Sequence, residues 1–139
     1  MATKAKASKG TTLTRGGVLI AEITTISGPT GTAPAIDATS HDSVSAEFVG
    51  GMPDAGEVSF DFNWVGSDAP QQSLDTDREA GTLSTYVLTV QDHATNPSTV
   101  TFTALVTACS LNPGGTGDKL SGSCTLKISG KPTRTYAPA

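Results

Sequence analysis

Two histidines, two cysteines and a short acidic cluster are the side chains of this sequence with the types that could do chemistry. His41 and His93 stand in separate polar segments. Neither has a serine, cysteine or aspartate arranged to make a nucleophile and its base, so each reads as a surface or turn histidine. Asp75, Asp77 and Glu79 fall on a helical stretch, where side chains two residues apart point in different directions and cannot share a proton as an acid/base pair. The glycine-rich PGGTGDK at 113–119 resembles a phosphate-binding loop but lacks the Gly-Lys-Ser/Thr ending, and reads as a hairpin turn. Cys109 and Cys124 are too few to form the disulfide framework of a small secreted domain. They lie in successive predicted strands, so a cross-strand disulfide and two buried thiols are both open. No Cys/His cluster has metal-ligand spacing. These residues support no active site, and no enzyme, cofactor or metal is expected.

The elements that would position any functional residue are organised around 53–81. A turn at Pro53, Asp54 and Gly56 leads into a run in which Val58, Phe60, Phe62 and Trp64 alternate with Ser59, Asp61 and Asn63. This is the pattern of a strand with one buried and one wet face. Three of the 4 Phe residues and the only Trp lie between 48 and 64, which predicts that this strand is the centre of the core. A helix follows at about 68–80, capped by Ser67 or Asp68, with Pro70 in its first turn and Gly81 at its end. Leu74 is its one large apolar anchor, so it must depend on docking to a sheet.

Elsewhere the pattern is strand and turn. A short strand is expected at 11–14, a turn at Gly16-Gly17, and one strand over 18–27 ending at Gly28-Pro29. In 36–49, Val44, Ala46 and Phe48 alternate with Ser45 and Glu47. This predicts an interrupted strand whose second half pairs with the central one through a loop at 50–57. A strand at 83–90 precedes a closing hairpin, with Val100, Phe102, Ala104 and Val106 buried on one arm and Leu120, Cys124, Leu126 and Ile128 on the other. The wet faces of that hairpin are almost wholly Ser and Thr. Lys131-Pro132 is expected to end the fold.

At 139 residues and 36% apolar composition the chain suits one modest core, and its Ser, Thr and Gly content favours β-structure. The net charge of −4 conceals a division. Lys4, Lys6, Lys9 and Arg15 precede every acid, and Lys131 and Arg134 follow the last one. Between 16 and 130 lie all 13 acids and only Arg78, Lys119 and Lys127, a balance of −10. A basic arm at 1–10, a β domain at 11–130 and a basic arm at 131–139 are the expected divisions. The arms are either solvated tails or cationic segments lying on an acidic neighbouring copy. The start MATKAKASKG has no apolar core following its charges, and no segment is long or apolar enough to span a membrane. No signal peptide or membrane partner is therefore expected, and cytoplasmic synthesis is.

Taken in order, GTTL (10–13), SGP (27–29), SHDS (40–43), AGEVSFDFNWV (55–65) followed by Gln71 and Gln72, and TLKISGKPT (125–133) give the chain a family likeness. It resembles the tail tube proteins of long-tailed phages, and in particular the N-terminal domain of the lambda-type siphovirus tube subunit. The likeness runs nearly the whole chain and lies in order and spacing. It implies a mainly β fold, a sandwich or half-barrel with one flanking helix. Six copies would close into a ring whose inner sheets form one barrel, and the rings would stack into a conduit for the genome. The implied partners are further copies of the chain, transient phage DNA, tape-measure and other tail proteins and, in contractile relatives, a sheath. The implied location is the virion, after the host cytoplasm. Because the sequence stops soon after its Gly-Lys-Pro turn, the appended immunoglobulin-like domain of some members is not expected.

A tube lumen must not hold DNA, and affinity for duplex rises with each phosphate neutralised by Lys or Arg. The expected DNA-facing residues are Ser45, Glu47, Ser59, Asp61 and Asn63, with Thr101, Thr103, Ser123 and Thr125. Lys127 is the misfit on that face, expected to pair with an acid across a subunit contact. Ring stacking is expected from Met52, Asp54 and Glu57 in the 50–57 loop and from Lys4, Lys6, Lys9, Lys131 and Arg134. The rival readings are a tail terminator or other ring-forming virion protein, which would stop at one ring, and a monomeric β-sandwich binding module, which would need exposed aromatics in a cleft.

Overall fold

The computed structural model of the chain describes residues 9–138. In chain order its elements are β1 (Thr12–Arg15), β2 (Val18–Leu19), β3 (Ile23–Ser27), β4 (Ala35–Asp37), β5 (Phe48–Gly50), β6 (Glu57–Asn63), α1 (Ala69–Ala80), β7 (Ser84–Val90), β8 (Ser98–Asn112) and β9 (Ser121–Thr135). Seven strands form one antiparallel sheet in the order β2-β1-β7-β8-β9-β6-β3, and β4 and β5 pair apart from it. The sheet curls into a half-barrel, so that Leu13 of β1 and Phe60 of β6 share one core with Tyr86, Phe102, Leu126 and Leu74 of the helix. This matches the expected mainly β fold with one short flanking helix.

The organising element is the β8–β9 hairpin and not β6, which lies next to one edge. Each arm is 15 residues long. One half of β8 receives β7 while the opposite half of β9 receives β6, a stagger that only long strands permit. Gly122 of β9 lies beneath the Phe62 ring, where a Cβ would come within 2.8 Å of the ring.

The alternation in β6 holds through Phe62 and then fails. The strand ends at Asn63, and Trp64 is 38% exposed, stacked at 6.2 Å on Phe62, instead of belonging to the core. The physical reason is Gln71 in the first helical turns. Its carboxamide accepts from the Val65 N–H at 2.9 Å and donates to the Ala21 and Asn63 carbonyls at 3.0 and 3.2 Å, so that after the Trp64 N–H bonds Leu120 the chain turns to the helix. Asp68 caps the helix through the Gln71 N–H at 3.3 Å and also accepts from Ala21 N–H. Gly81 closes it in the left-handed conformation, at φ 68°.

Docking then supplies what the helix lacks in amphipathicity. Leu74 is buried, and Arg15 of β1 grips the buried Asp77 through Nε to Oδ2 at 2.8 Å and Nη2 to Oδ1 at 3.0 Å. Ser84 completes the triangle, donating to Asp77 at 3.0 Å.

Three other expectations are corrected. The single strand over 18–27 is two strands broken at Glu22, whose φ of 55° turns the chain and whose carbonyl accepts from Asn63 N–H. The segment 36–49 does not pair with β6. It folds onto itself as the β4–β5 hairpin, leaving Phe48 60% exposed and Val44 fully exposed. The chain does not leave the sheet at Lys131-Pro132, because β9 continues to Thr135 opposite Thr99 of β8.

Candidate functional site

Alternation along β6 and β9 separates a core face from a polar face. Val58, Phe60 and Phe62 of β6 are buried while Glu57, Ser59 and Asp61 are exposed. On β9 Gly122, Cys124, Leu126 and Ile128 are buried, with Ser121, Ser123, Thr125 and Lys127 between them. Register carries the polar residues across the strands. Asp61 lies opposite Ser123, which lies opposite Ser110 with the hydroxyls 2.6 Å apart. Ser59 is opposite Thr125, and Asn63 is opposite Ser121. Farther along β8, Thr103 faces Thr85 and Ser129, and Thr101 faces Val87 and Thr133. Seven of the nine expected DNA-facing residues, Ser59, Asp61, Asn63, Thr101, Thr103, Ser123 and Thr125, therefore share one sheet face, interrupted by the register shift between Thr103 and Thr101.

Ser45 and Glu47 do not. They lie in the connection of the β4–β5 hairpin, where the Glu47 carboxylate accepts from Ser43 Oγ at 2.6 Å.

Lys127 projects from the polar face opposite Glu57. Its ammonium is 3.2 Å from both carboxylate oxygens of Asp54 in the same chain, which replaces the expected pairing across a subunit contact. The Asp54 carboxyl is held below its usual range by the Gly56 N–H and then by Lys127. Lys127 is thus paired with an acid of its own chain, while Lys131, farther along β9 between Ser129 and Thr133, is exposed.

A second feature escaped the sequence reading. The hairpin pairs Ile36 with Val49 and Asp37 with Phe48, and Ile36, Phe48, Val49 and nearby Met52 are all more than half exposed. Its turn is ordered from within. Thr39 Oγ1 accepts from Glu47 N–H at 2.8 Å, and Asp37 accepts from Thr39 N–H at 2.9 Å; the Thr39 hydroxyl first and its N–H second lower the Asp37 pKa. The apolar patch therefore stands exposed on a hairpin that is ordered from within. The alternation of Val44, Ala46 and Phe48 was visible, but alternation does not say which partner will cover it.

Of the residues expected to stack rings, Lys4 and Lys6 lie outside the described residues. Lys9 and Met52 are exposed. Asp54, Lys131 and Arg134 line a groove of about 460 Å³ with Gly31–Ala33, Pro53 and Pro132 at the hairpin's base, and Glu57 starts β6 beside it. No metal-binding group of three or more His, Cys, Asp or Glu occurs among the described residues.

The half-barrel with a flanking helix is similar in fold to chains of several tail and injection-system particles. A chain in the tube-terminating cap of the anti-feeding prophage superposes with a TM-score of 0.78 at 12% identity, covering 99% of this chain and 95% of that one. A chain in the virion of a native gene transfer agent gives 0.75 at 14% identity, covering 94% and 99%. The SPP1 tail tube gives 0.65 at 9% identity, covering 91% and 76%. At such identities the likeness is one of fold. The sequence matches no protein-family model and no curated protein.

Proposed function

We propose that this protein is a tail tube subunit, closing into six-membered rings that stack into a hollow conduit for DNA. The observation that carries the reading is the Ser/Thr face of β6, β8 and β9, on which Lys127 is tied to Asp54. Such a face suits a wall past which duplex DNA slides, since it offers few cations to neutralise phosphate. Ring closure gives the free edges of β2 and β3 a partner, which otherwise would pair indiscriminately. Six copies are supported by fold likeness to chains in a gene transfer agent tail with C6 symmetry and a six-fold anti-feeding prophage baseplate.

The exposed hairpin, with Ile36, Phe48, Val49 and Met52, serves contacts between copies, and Lys131 and Arg134 contribute from the groove at its base. The resemblance of the sequence favours a lambda-type tail. Tape-measure protein inside the tube, and a sheath outside it in a contractile particle, are the partners this role requires. The virion is its destination.

The fold likeness to a chain in a tube-terminating cap supports a second reading, a terminator that stops at one ring. Electron microscopy of the purified protein separates the two. Long hollow tubes of uniform width are the expected result. Single rings would select the terminator, and a persistent monomer at high concentration would refute both.

A further inference from the structure

Cys109 of β8 and Cys124 of β9 are direct cross-strand partners, and their Sγ atoms lie 2.7 Å apart as free thiols. Opposed residues of antiparallel strands have Cα atoms about 4.5–5.5 Å apart, inside the span that a disulfide bridges. The juxtaposition depends on a bulge. Strict alternation from the buried Val106 would turn Cys109 outward. The register shift between Val106 and Ala108 instead leaves both Thr107 and Ala108 exposed and returns Cys109 to the side of Cys124.

The two thiols differ in access. Cys109 is half-buried, at a groove of about 270 Å³ lined also by Phe62, Trp64 and Asp75, whereas Cys124 is 3% exposed. The contact between the thiols lowers the Cys109 pKa, while that contact and burial raise the Cys124 pKa. Cys109 is thus the more easily ionised and the more reachable sulfur, with Cys124 placed as its resolving partner.

We propose that Cys109 and Cys124 are a redox modification site, reduced in a reducing compartment and closed to an intrachain disulfide by a small-molecule disulfide. The Cys109 thiolate attacks one sulfur of oxidised glutathione and forms a mixed disulfide, releasing one glutathione thiolate. Cys124 then attacks Cys109 Sγ, and the second glutathione leaves with the electron pair while the Cys124 proton passes to solvent. Two protein thiols are oxidised and one glutathione disulfide is reduced to two thiols. The bond staples the arms of the central hairpin beneath α1.

The test incubates the full-length chain with oxidised glutathione, alkylates the remaining thiols, and reads intact mass and peptide map. The expected product is two hydrogens lighter than the reduced chain, carries no glutathione, and joins the Cys109 and Cys124 peptides. Its alkylation should fall at least about tenfold and its thermal midpoint should rise by about 5 °C. Cys124→Ala should instead trap glutathione on Cys109, and Cys109→Ser should leave Cys124 unmodified while folded. Full alkylation after oxidation, a bond only between chains, a lasting adduct on the parent chain, or modification of Cys124 in Cys109→Ser would each overturn the proposal.

Discussion

Replacing Arg15 by methionine isolates the clamp that holds α1 on the sheet. The Asp77 side chain is 7% exposed and that of Arg15 is 24% exposed. The carboxylate receives two guanidinium hydrogen bonds and one from Ser84, so the substitution leaves a buried anion with a single hydroxyl donor. Breaking a buried pair from one side costs about 3–5 kcal/mol, and water reaching the partly open Arg15 site lowers this to about 2–4 kcal/mol. Asp77→Asn should cost less, about 1–2 kcal/mol, because the freed guanidinium can reach water while the amide keeps part of the network.

Urea unfolding of Arg15→Met, Asp77→Asn and the double variant measures all three on one scale. The double variant should be more stable than Arg15→Met alone, since removing the anion relieves the uncompensated charge. Hydrogen exchange should show amides of residues 69–80 losing protection first. A loss under about 0.5 kcal/mol for Arg15→Met, or a larger loss for Asp77→Asn, would refute the clamp as the source of helix docking.

Phe48→Asp, on the exposed hairpin, should abolish assembly while leaving the unfolding free energy of the monomer within about 0.5 kcal/mol of the parent; sedimentation and microscopy check the first and urea unfolding the second. Asp61→Lys with Ser123→Lys should give tubes that form but retain duplex DNA, with retention falling as salt rises at about 0.9 logarithmic units per phosphate neutralised; salt-independent passage of DNA would count against the wall assignment. Tyr86 is fully buried and its hydroxyl, beside Arg15, has no hydrogen bond of good geometry. Burial first, and the Asp77 charge second, push its pKa from 10.0 up to about 12. The unfolded chain therefore loses the phenolic proton first, and stability present below pH 10 is lost as pH rises toward 12. Tyr86→Phe should be neutral or stabilising near pH 7 and should remove that alkaline slope.

The sequence alone determined the elements whose local chemistry agrees with their surroundings. A cap at Ser67 or Asp68, Pro70 and Gly81 bounded α1 because caps act within one turn, and folding selected Asp68. Alternation in β6, β8 and β9 sorted the core face from the Ser/Thr face, since strand periodicity is a property of the backbone itself. Tertiary structure decided what depends on distant partners. Whether Trp64 is covered depends on Gln71 bonding the Asn63 carbonyl and the Val65 N–H, and whether Phe48 is covered depends on which segment pairs with β5. Lys127 could be seen as the odd cation on a polar strand, but only folding brings Asp54 to it across 73 residues of chain. Likewise no spacing rule sets Cys109 against Cys124. A bulge of one residue decides that, because a change of register by one moves every later side chain to the opposite face.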